Sequence, residues 1–190
     1  MPSEATTDLT PPSPPLGLFA QLKEDLRVHG GDWTRPGFRA VASHRFGVWR
    51  MKLPQPFRAP MSILYRMMFR RCRNVYGIEL PYSVRLGRRV VIEHQGAIVV
   101  HGNCVIGDDC ILRQGVTLGN KNLEQPTDAP TLGKGVNVGA GAKLLGKITV
   151  GDGSAVGANA VLTKDVPESH AALGIPAQIR PMKPAITEAA

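Results

Sequence analysis

The chain lacks any run of about 18 apolar residues, so none of its segments reads as a membrane-spanning helix. Cysteine is scarce: three thiols cannot build a disulfide framework. Cys104 and Cys110 stand six residues apart and read as small core fillers rather than ligands or nucleophiles. Acids are almost missing from one stretch. From Arg35 to Arg89 there are thirteen Lys or Arg and a single carboxylate, Glu79. Those cations are not interleaved with stacking aromatics, and no nucleic-acid module is visible, so nucleic acid is not the expected partner. No closed set of metal ligands is present either, because His94 and His101 with two glutamates fall short of one. Residues 1–15 are polar and proline-rich, without the basic and apolar regions of a secretion signal. They read as a disordered tail, and the cytoplasm is the expected compartment.

What is present is a period. From Leu132 an aliphatic side chain returns every sixth residue, at Val138, Leu144, Val150, Val156 and Leu162. Four residues after each comes a small or β-branched one: Val136, Ala142, Ile148, Ser154, Ala160, Val166. A period of six fits neither a helix nor a simple strand. It fits a solenoid with one hexapeptide per face, hence a mainly β, parallel β-helix fold. A shorter run, Val100, Ile106, Leu112 and Leu118, precedes it out of phase, because Leu118 to Leu132 is fourteen residues. The polar segment between them, residues 119–131 with Pro126 and Pro130, reads as an excursion loop.

Before the coil the pattern is helical. A helix is expected over about Leu16–Val28, a second from about Gly37 to Met51, and a third after Pro60 with Met61, Tyr65, Met68, Phe69 and Cys72 on its apolar stripe. The expected organisation is a tail (1–15), a basic helical segment (16–76), a hexapeptide-repeat domain (77–180) and a second tail (181–190). The basic helices either cap the open end of the coil or are drawn to an anionic membrane surface, which would put the protein at the inner face of the membrane.

Chemistry concentrates on one histidine. His29, His44 and His170 read as structural or surface residues. His94 lies on an early turn, beside Glu93, with Glu79 fifteen residues back, close to one eighteen-residue turn of a three-faced coil. That spacing brings Glu79 toward the imidazole. A carboxylate on one ring nitrogen fixes the tautomer and frees the other nitrogen to accept a proton.

These residues, with Gly77-Ile-Glu79, Val116-Thr-Leu-Gly119, Val138-Gly-Ala-Gly-Ala-Lys143 and Gly174-Ile-Pro-Ala177, carry a resemblance. The stretch from Gly77 to about Arg180 resembles the catalytic domain of serine O-acetyltransferases, within the wider hexapeptide acyltransferases. The resemblance implies a left-handed coil, against the usual right-handed crossover. It further implies homotrimers with active sites in the clefts between adjacent coils, and acetyl-CoA as co-substrate with no metal. His94 falls on the family's catalytic histidine, Glu79 on its orienting carboxylate and Glu93 on an acceptor-contacting one. Both glutamates stand where the family has aspartate, which changes the reach by about 1.5 Å, one C–C bond. Acetyl-CoA is implied near Asn120, Lys121, Ala140 and Ala158, with Lys164 and Arg180 as candidates for its phosphates.

The chain departs from the family in the loop. Where the family has an Arg-His pair before a proline, holding the carboxylate of serine, this chain has Asp128 and Ala129 before Pro130. An acid there is a poor fit to a carboxylate. The expected activity is acetyl transfer to an acceptor hydroxyl. Serine is the family's own acceptor; a sugar hydroxyl in exopolysaccharide synthesis is the alternative. A non-catalytic scaffold, or a zinc-dependent anhydrase needing a histidine triad, are the other classes the coil can host.

Overall fold

The six-residue period becomes a coil of very short strands in a computed structural model that describes residues 9, 10, 13, 14 and 16–182. Three helices come first: α1 (Leu18–Val28), α2 (Pro36–Arg50) and α3 (Gln55–Tyr76). The first turn of the coil carries β1 (Ile78–Glu79), β2 (Arg85–Leu86) and β3 (Val91–Ile92). The second carries β4 (Ile98–Val100), β5 (Val105–Ile106) and β6 (Ile111–Leu112), and the third β7 (Thr117–Gly119), β8 (Thr131–Leu132) and β9 (Asn137–Val138). The fourth carries β10 (Lys143–Leu145), β11 (Thr149–Val150) and β12 (Ala155–Val156). β13 (Val161–Leu162), β14 (His170–Leu173) and β15 (Gln178–Pro181) complete the coil. Strands on successive turns pair in parallel and build three faces: A (β1-β4-β7-β10-β13), B (β2-β5-β8-β11) and C (β3-β6-β9-β12-β14, edged by antiparallel β15). The architecture is the expected left-handed parallel β-helix with a short helical segment before it.

Inside the coil the same position of each hexapeptide stacks on itself. Leu118, Leu144 and Leu162 follow one another up face A and are 1 % exposed or less. Cys104 and Cys110 are wholly buried, and burial pushes both thiols up to about 12, so they are inert core fillers as expected. Leu144→Ala should open a cavity between two fixed turns and cost about 2–5 kcal/mol, read as a lower urea midpoint. An unchanged midpoint would mean the turns collapse onto the gap.

The turns are not all equal. Val99 lies opposite Thr117, a turn of eighteen residues, but Glu79 lies opposite Val99, a turn of twenty. Along that longer turn Glu79 to Arg85 and Arg85 to Val91 are six residues each, and Val91 to Val99 is eight. The two additional residues fall in the corner that contains His94. A second break is the excursion loop, where Thr117 to Thr131 is fourteen, and the last turn is short, with Ala155 opposite Ala171 after sixteen.

The helices close the open end of the coil. Ala40 and Val41 of α2 join the core. Gly37 lets the helix press onto the backbone of Ile92, where any Cβ would collide with the carbonyl. α3 starts at Gln55, earlier than the expected start after Pro60. Pro60 is accommodated because it faces solvent and its absent N–H forfeits only a bond to the carbonyl of Pro56, also exposed. Of the expected N-terminal tail, the described residues lie along the coil: Thr10 bonds Asp152, and the Ser13 amide donates to Asp108 Oδ2 (3.1 Å). Most of that tail, and residues 183–190, fall outside the described residues.

Two buried histidines lock this cap. His29 Nδ1 bonds the carbonyl of Asp25 (2.7 Å) while its Nε2 accepts from the Ile92 amide (3.3 Å), so the ring is neutral. His44 Nε2 bonds the Val84 carbonyl (2.9 Å). Burial, with Arg45 adjacent, lowers His44 from 6.5 to about 4. The sign follows from linkage: the unfolded imidazole takes its proton near 6.5, the folded one near 4, so protonation favours unfolding. Stability should be full above about pH 6.5 and fall by up to about 3 kcal/mol as the pH drops toward 4. Urea midpoints across that window measure it, and His44→Gln should flatten the slope. An equally steep slope in that variant would place the titration elsewhere.

Candidate active site

The corner between faces C and A is one continuous ladder of backbone hydrogen bonds. The Gly115 amide donates to the Gly96 carbonyl, Gly141 to Gln114 and Asn159 to Ala140, each at 2.8 Å. In that register Gln114, Ala140 and Ala158 stack directly, and the three residues His94–Gly96 bulge out over Gln114 where one would suffice. Gly96, Gly115 and Gly141 hold φ of +105°, +72° and +74°. Glycine keeps these corners narrow, since a Cβ on Gly115 would sit 3.2 Å from the Gly141 Cα. With turns about 4.8 Å apart, Ala140 lies about 10 Å and Ala158 about 14 Å up the column from His94. The result is an exposed imidazole at the foot of a shallow corner with small side chains and close backbone above it.

Glu93 opens the same bulge. Its carboxylate is held by Arg113 of the next turn (Nε–Oε2 2.6 Å), and Arg113 also bonds Asn137. Arg113 escapes sequence reading because it sits twenty residues from Glu93, not eighteen. The pairing occupies the carboxylate expected to contact the acceptor. Lys143 braces the column from face A, donating to the Thr117 hydroxyl (3.1 Å) and to the Gly115 carbonyl.

Glu79 does not stand where the fifteen-residue spacing implies. Because the turn is two residues longer, Glu79 lies opposite Val99 on the outer side of face A. The turn beneath the His94 bulge is the end of α3, whose Tyr76 carbonyl accepts the Gly96 amide (2.9 Å). Glu79 and His94 form neither a hydrogen bond nor an ion pair. The expected dyad is not made in this chain as it stands.

The remaining candidates lie on the opposite corner, between faces A and B. Asn120 and Lys121 leave β7 there, and Asn120 Nδ2 donates to the Asn122 carbonyl (2.8 Å). Lys121 packs beside Gly146 of the next turn. Asp128 is half-buried, and its amide donates to the Gln125 carbonyl (3.2 Å). Asn103 steadies the loop through the Thr127 carbonyl (3.0 Å), just past His101 at the end of β4. Lys164 follows β13 on this side and lines a cavity of about 430 Å³ with Pro176 and Ala177. Arg180 lines a neighbouring one of about 390 Å³ with Leu173 and Ile175. One chain thus gathers Glu93, His94, Ala140 and Ala158 at one corner and Asn120, Lys121, Asp128 and Lys164 at another. Among the described residues no group of three His, Cys, Asp or Glu is placed to hold a metal ion.

Comparison with known proteins agrees with this fold. Residues 129–164 match the family model for bacterial transferase hexapeptide repeats. A serine acetyltransferase of Synechococcus elongatus is 34 % identical over 144 residues, covering 76 % of this chain and 57 % of that protein. One from Bacillus pumilus is 33 % identical over 167 residues, covering 85 % and 77 %. The putative colanic acid biosynthesis acetyltransferase WcaB of Escherichia coli K12 is 36 % identical over 168 residues, covering 85 % of this chain and all of that protein. Among solved structures, serine acetyltransferase of Brucella abortus in complex with coenzyme A superposes with a TM-score of 0.75 at 26 % identity, over 87 % of this chain and 68 % of that one. The chain therefore spans little more than half of the Synechococcus relative and the whole of the Escherichia coli one. On fold, repeat and sequence together, it belongs to the serine acetyltransferase family of hexapeptide-repeat transferases.

Proposed function

We propose that this chain is an acetyl-CoA-dependent O-acetyltransferase, moving an acetyl group from the thioester to an acceptor hydroxyl in the manner of serine acetyltransferases. The observation that carries the reading is the corner column, with His94 at its foot and Ala140 and Ala158 above it. An extended pantetheine arm fits a corner lined by small side chains and backbone, and the Brucella abortus relative holds coenzyme A. His94 takes the proton from the acceptor hydroxyl as its oxygen attacks the thioester carbonyl. The tetrahedral intermediate then collapses, the C–S bond breaks, and the CoA thiolate leaves and is protonated. Backbone N–H groups stabilise the oxyanion. Glu79, on the face that begins at the same corner, is assigned the orienting role, which requires it to reach the ring and form the bond only when acceptor is bound.

The candidate residues are divided between two corners, so a full site needs a second copy. We assign a homotrimer in which the His94 corner of one chain faces Asn120, Lys121, Asp128 and Lys164 of the next, with Arg180 near the CoA phosphates. The cytoplasm, at the inner face of the membrane, is the proposed location.

Serine is the acceptor of the family. A second reading, a sugar hydroxyl in cell-surface polysaccharide synthesis, is favoured by Asp128 and Ala129, by the engagement of Glu93 with Arg113, and by the end-to-end match with the Escherichia coli protein. Release of free thiol from acetyl-CoA separates them. Rapid release with serine supports the first, release only with sugars or nucleotide sugars supports the second, and no acceptor-dependent release from any of them sinks the enzyme reading.

A further inference from the structure

α3 is packed on one side only. Tyr65 and Cys72 are buried against the rest of the chain. The other side presents Phe57, Ile63, Met67 and Val75, each 60 % exposed or more, with Leu64 among them. At 3.6 residues per turn these five fall within an arc of about 120°. Arg66, Arg70 and Arg73 line one margin of the stripe, Arg71 lies within it, and all four are exposed. Neither α2 nor α3 contains a single Asp or Glu. Large apolar side chains gathered on one exposed helix face, interrupted here by Arg71 and Asn74, mark an interaction site.

The charge decides the occupant. A second copy docking through the same face would bring another acid-free helix against this one, cation against cation. Of the acids on and beside the cap, Asp25 is held by Arg45, Asp32 by the Thr34 hydroxyl, and Glu24, Asp108 and Asp109 by Arg88 and Arg89. Glu79, just past α3 on the outer side of face A, is the one without such a partner among the described residues. The complement is a surface both apolar beneath and anionic above. We infer that α3 lies in the interface of an anionic lipid bilayer, with Phe57, Leu64 and Met67 among the acyl chains and the arginines at the headgroups. This names the surface behind the proposed location and does not depend on the acetyl-transfer reading. The consequence for that reading is positional: α3 ends at Tyr76, whose carbonyl holds the His94 bulge through the Gly96 amide. Docking therefore sets the candidate base beside the membrane, where a lipid-borne acceptor would present its hydroxyl.

The test is sedimentation of the full chain with vesicles of phosphatidylcholine alone and of phosphatidylcholine with phosphatidylglycerol. Binding is expected to the anionic vesicles at low salt, weaker at high salt, and negligible to the neutral ones. Each basic residue near such a surface is worth about fivefold in partition, so Arg66→Gln with Arg70→Gln and Arg73→Gln should lose about 100-fold. Ile63→Glu with Met67→Glu should abolish binding while leaving the melting temperature and thiol release with soluble acceptors unchanged. No binding to anionic vesicles at low salt, equal binding to neutral ones, or full binding by the Ile63/Met67 variant each overturns the inference. So does a smaller assembly of that variant in sedimentation equilibrium, which would give the stripe to a second copy.

Discussion

His94→Ala is expected to slow acetyl transfer by about 10²–10⁴-fold, the usual worth of a positioned general base. That is about 3–5 kcal/mol of transition-state stabilisation at 1.36 kcal/mol per tenfold. The loss should fall on kcat, with the Kd for CoA unchanged, because the imidazole stands at the foot of the column and Ala140 and Ala158 line it above. His94 is exposed and has no hydrogen-bond partner among the described residues, so its removal should not disturb the fold. Glu79→Gln should lower kcat less, and change its pH dependence, if the carboxylate orients the ring during turnover. A His94→Ala protein that turns over at near the wild-type rate would remove the base from the mechanism. One that loses CoA binding as well would give the imidazole a different place.

Asp25→Ala should cost about 3–5 kcal/mol of stability, the largest effect expected in the helical cap. Asp25 is wholly buried, and Arg45, 4 % exposed, meets it with Nε at 2.9 Å from Oδ2. The same guanidinium donates to the carbonyls of Leu86 and Gly87, so one side chain ties α1, α2 and the first turn of the coil. Removing the carboxylate leaves a buried cation with only neutral acceptors. Breaking the pair is more damaging than never having it. Asp25→Leu with Arg45→Met should accordingly recover part of the loss, though not all, since the two carbonyls lose their donor. Urea midpoints of the three proteins decide this. A midpoint for Asp25→Ala within about 0.5 kcal/mol of wild type, the usual spread of harmless surface changes, would show that water reaches Arg45.

The coil was legible because its physics is local. One inward side chain per hexapeptide repeats whatever the neighbouring chain does, so Leu132 to Leu162 predicts the stack that Leu118, Leu144 and Leu162 form. What was missed depends on how turns are counted. Leu80, Leu86 and Ile92 carry the same six-residue period one turn earlier. Ile92 to Val100 is eight residues, and that break places two additional residues at His94. Reading it would have set Glu79 opposite Val99 and Glu93 opposite Arg113, in place of an eighteen-residue turn that joins Glu79 to His94. Two of the breaks in the period, the bulge and the excursion loop, hold His94, Asn120, Lys121 and Asp128, while Ala140 and Ala158 lie on regular turns. The cap was less legible. The burial of Asp25, His29 and His44 arises from docking α1 and α2 onto the coil, and no local pattern announces it. Pro60 read as a helix boundary because a proline normally is one; its lost bond costs little where the acceptor is hydrated. His94 stands out by its sequence neighbours Glu93 and Glu79, and the resemblance adds its role as the base.

Acetyl-CoA is expected to lie along the corner above His94. Thermal melting with and without saturating acetyl-CoA, for the wild type, His94→Ala and Ala158→Trp, tests it most directly. A ligand that binds only the folded state raises stability by RT ln(1 + [L]/Kd), about 2.7 kcal/mol at 100 times Kd. A clear rise is expected for the wild type and for His94→Ala, and none for Ala158→Trp, whose indole fills the corner. A rise of the same size in all three proteins, or in none, would contradict it.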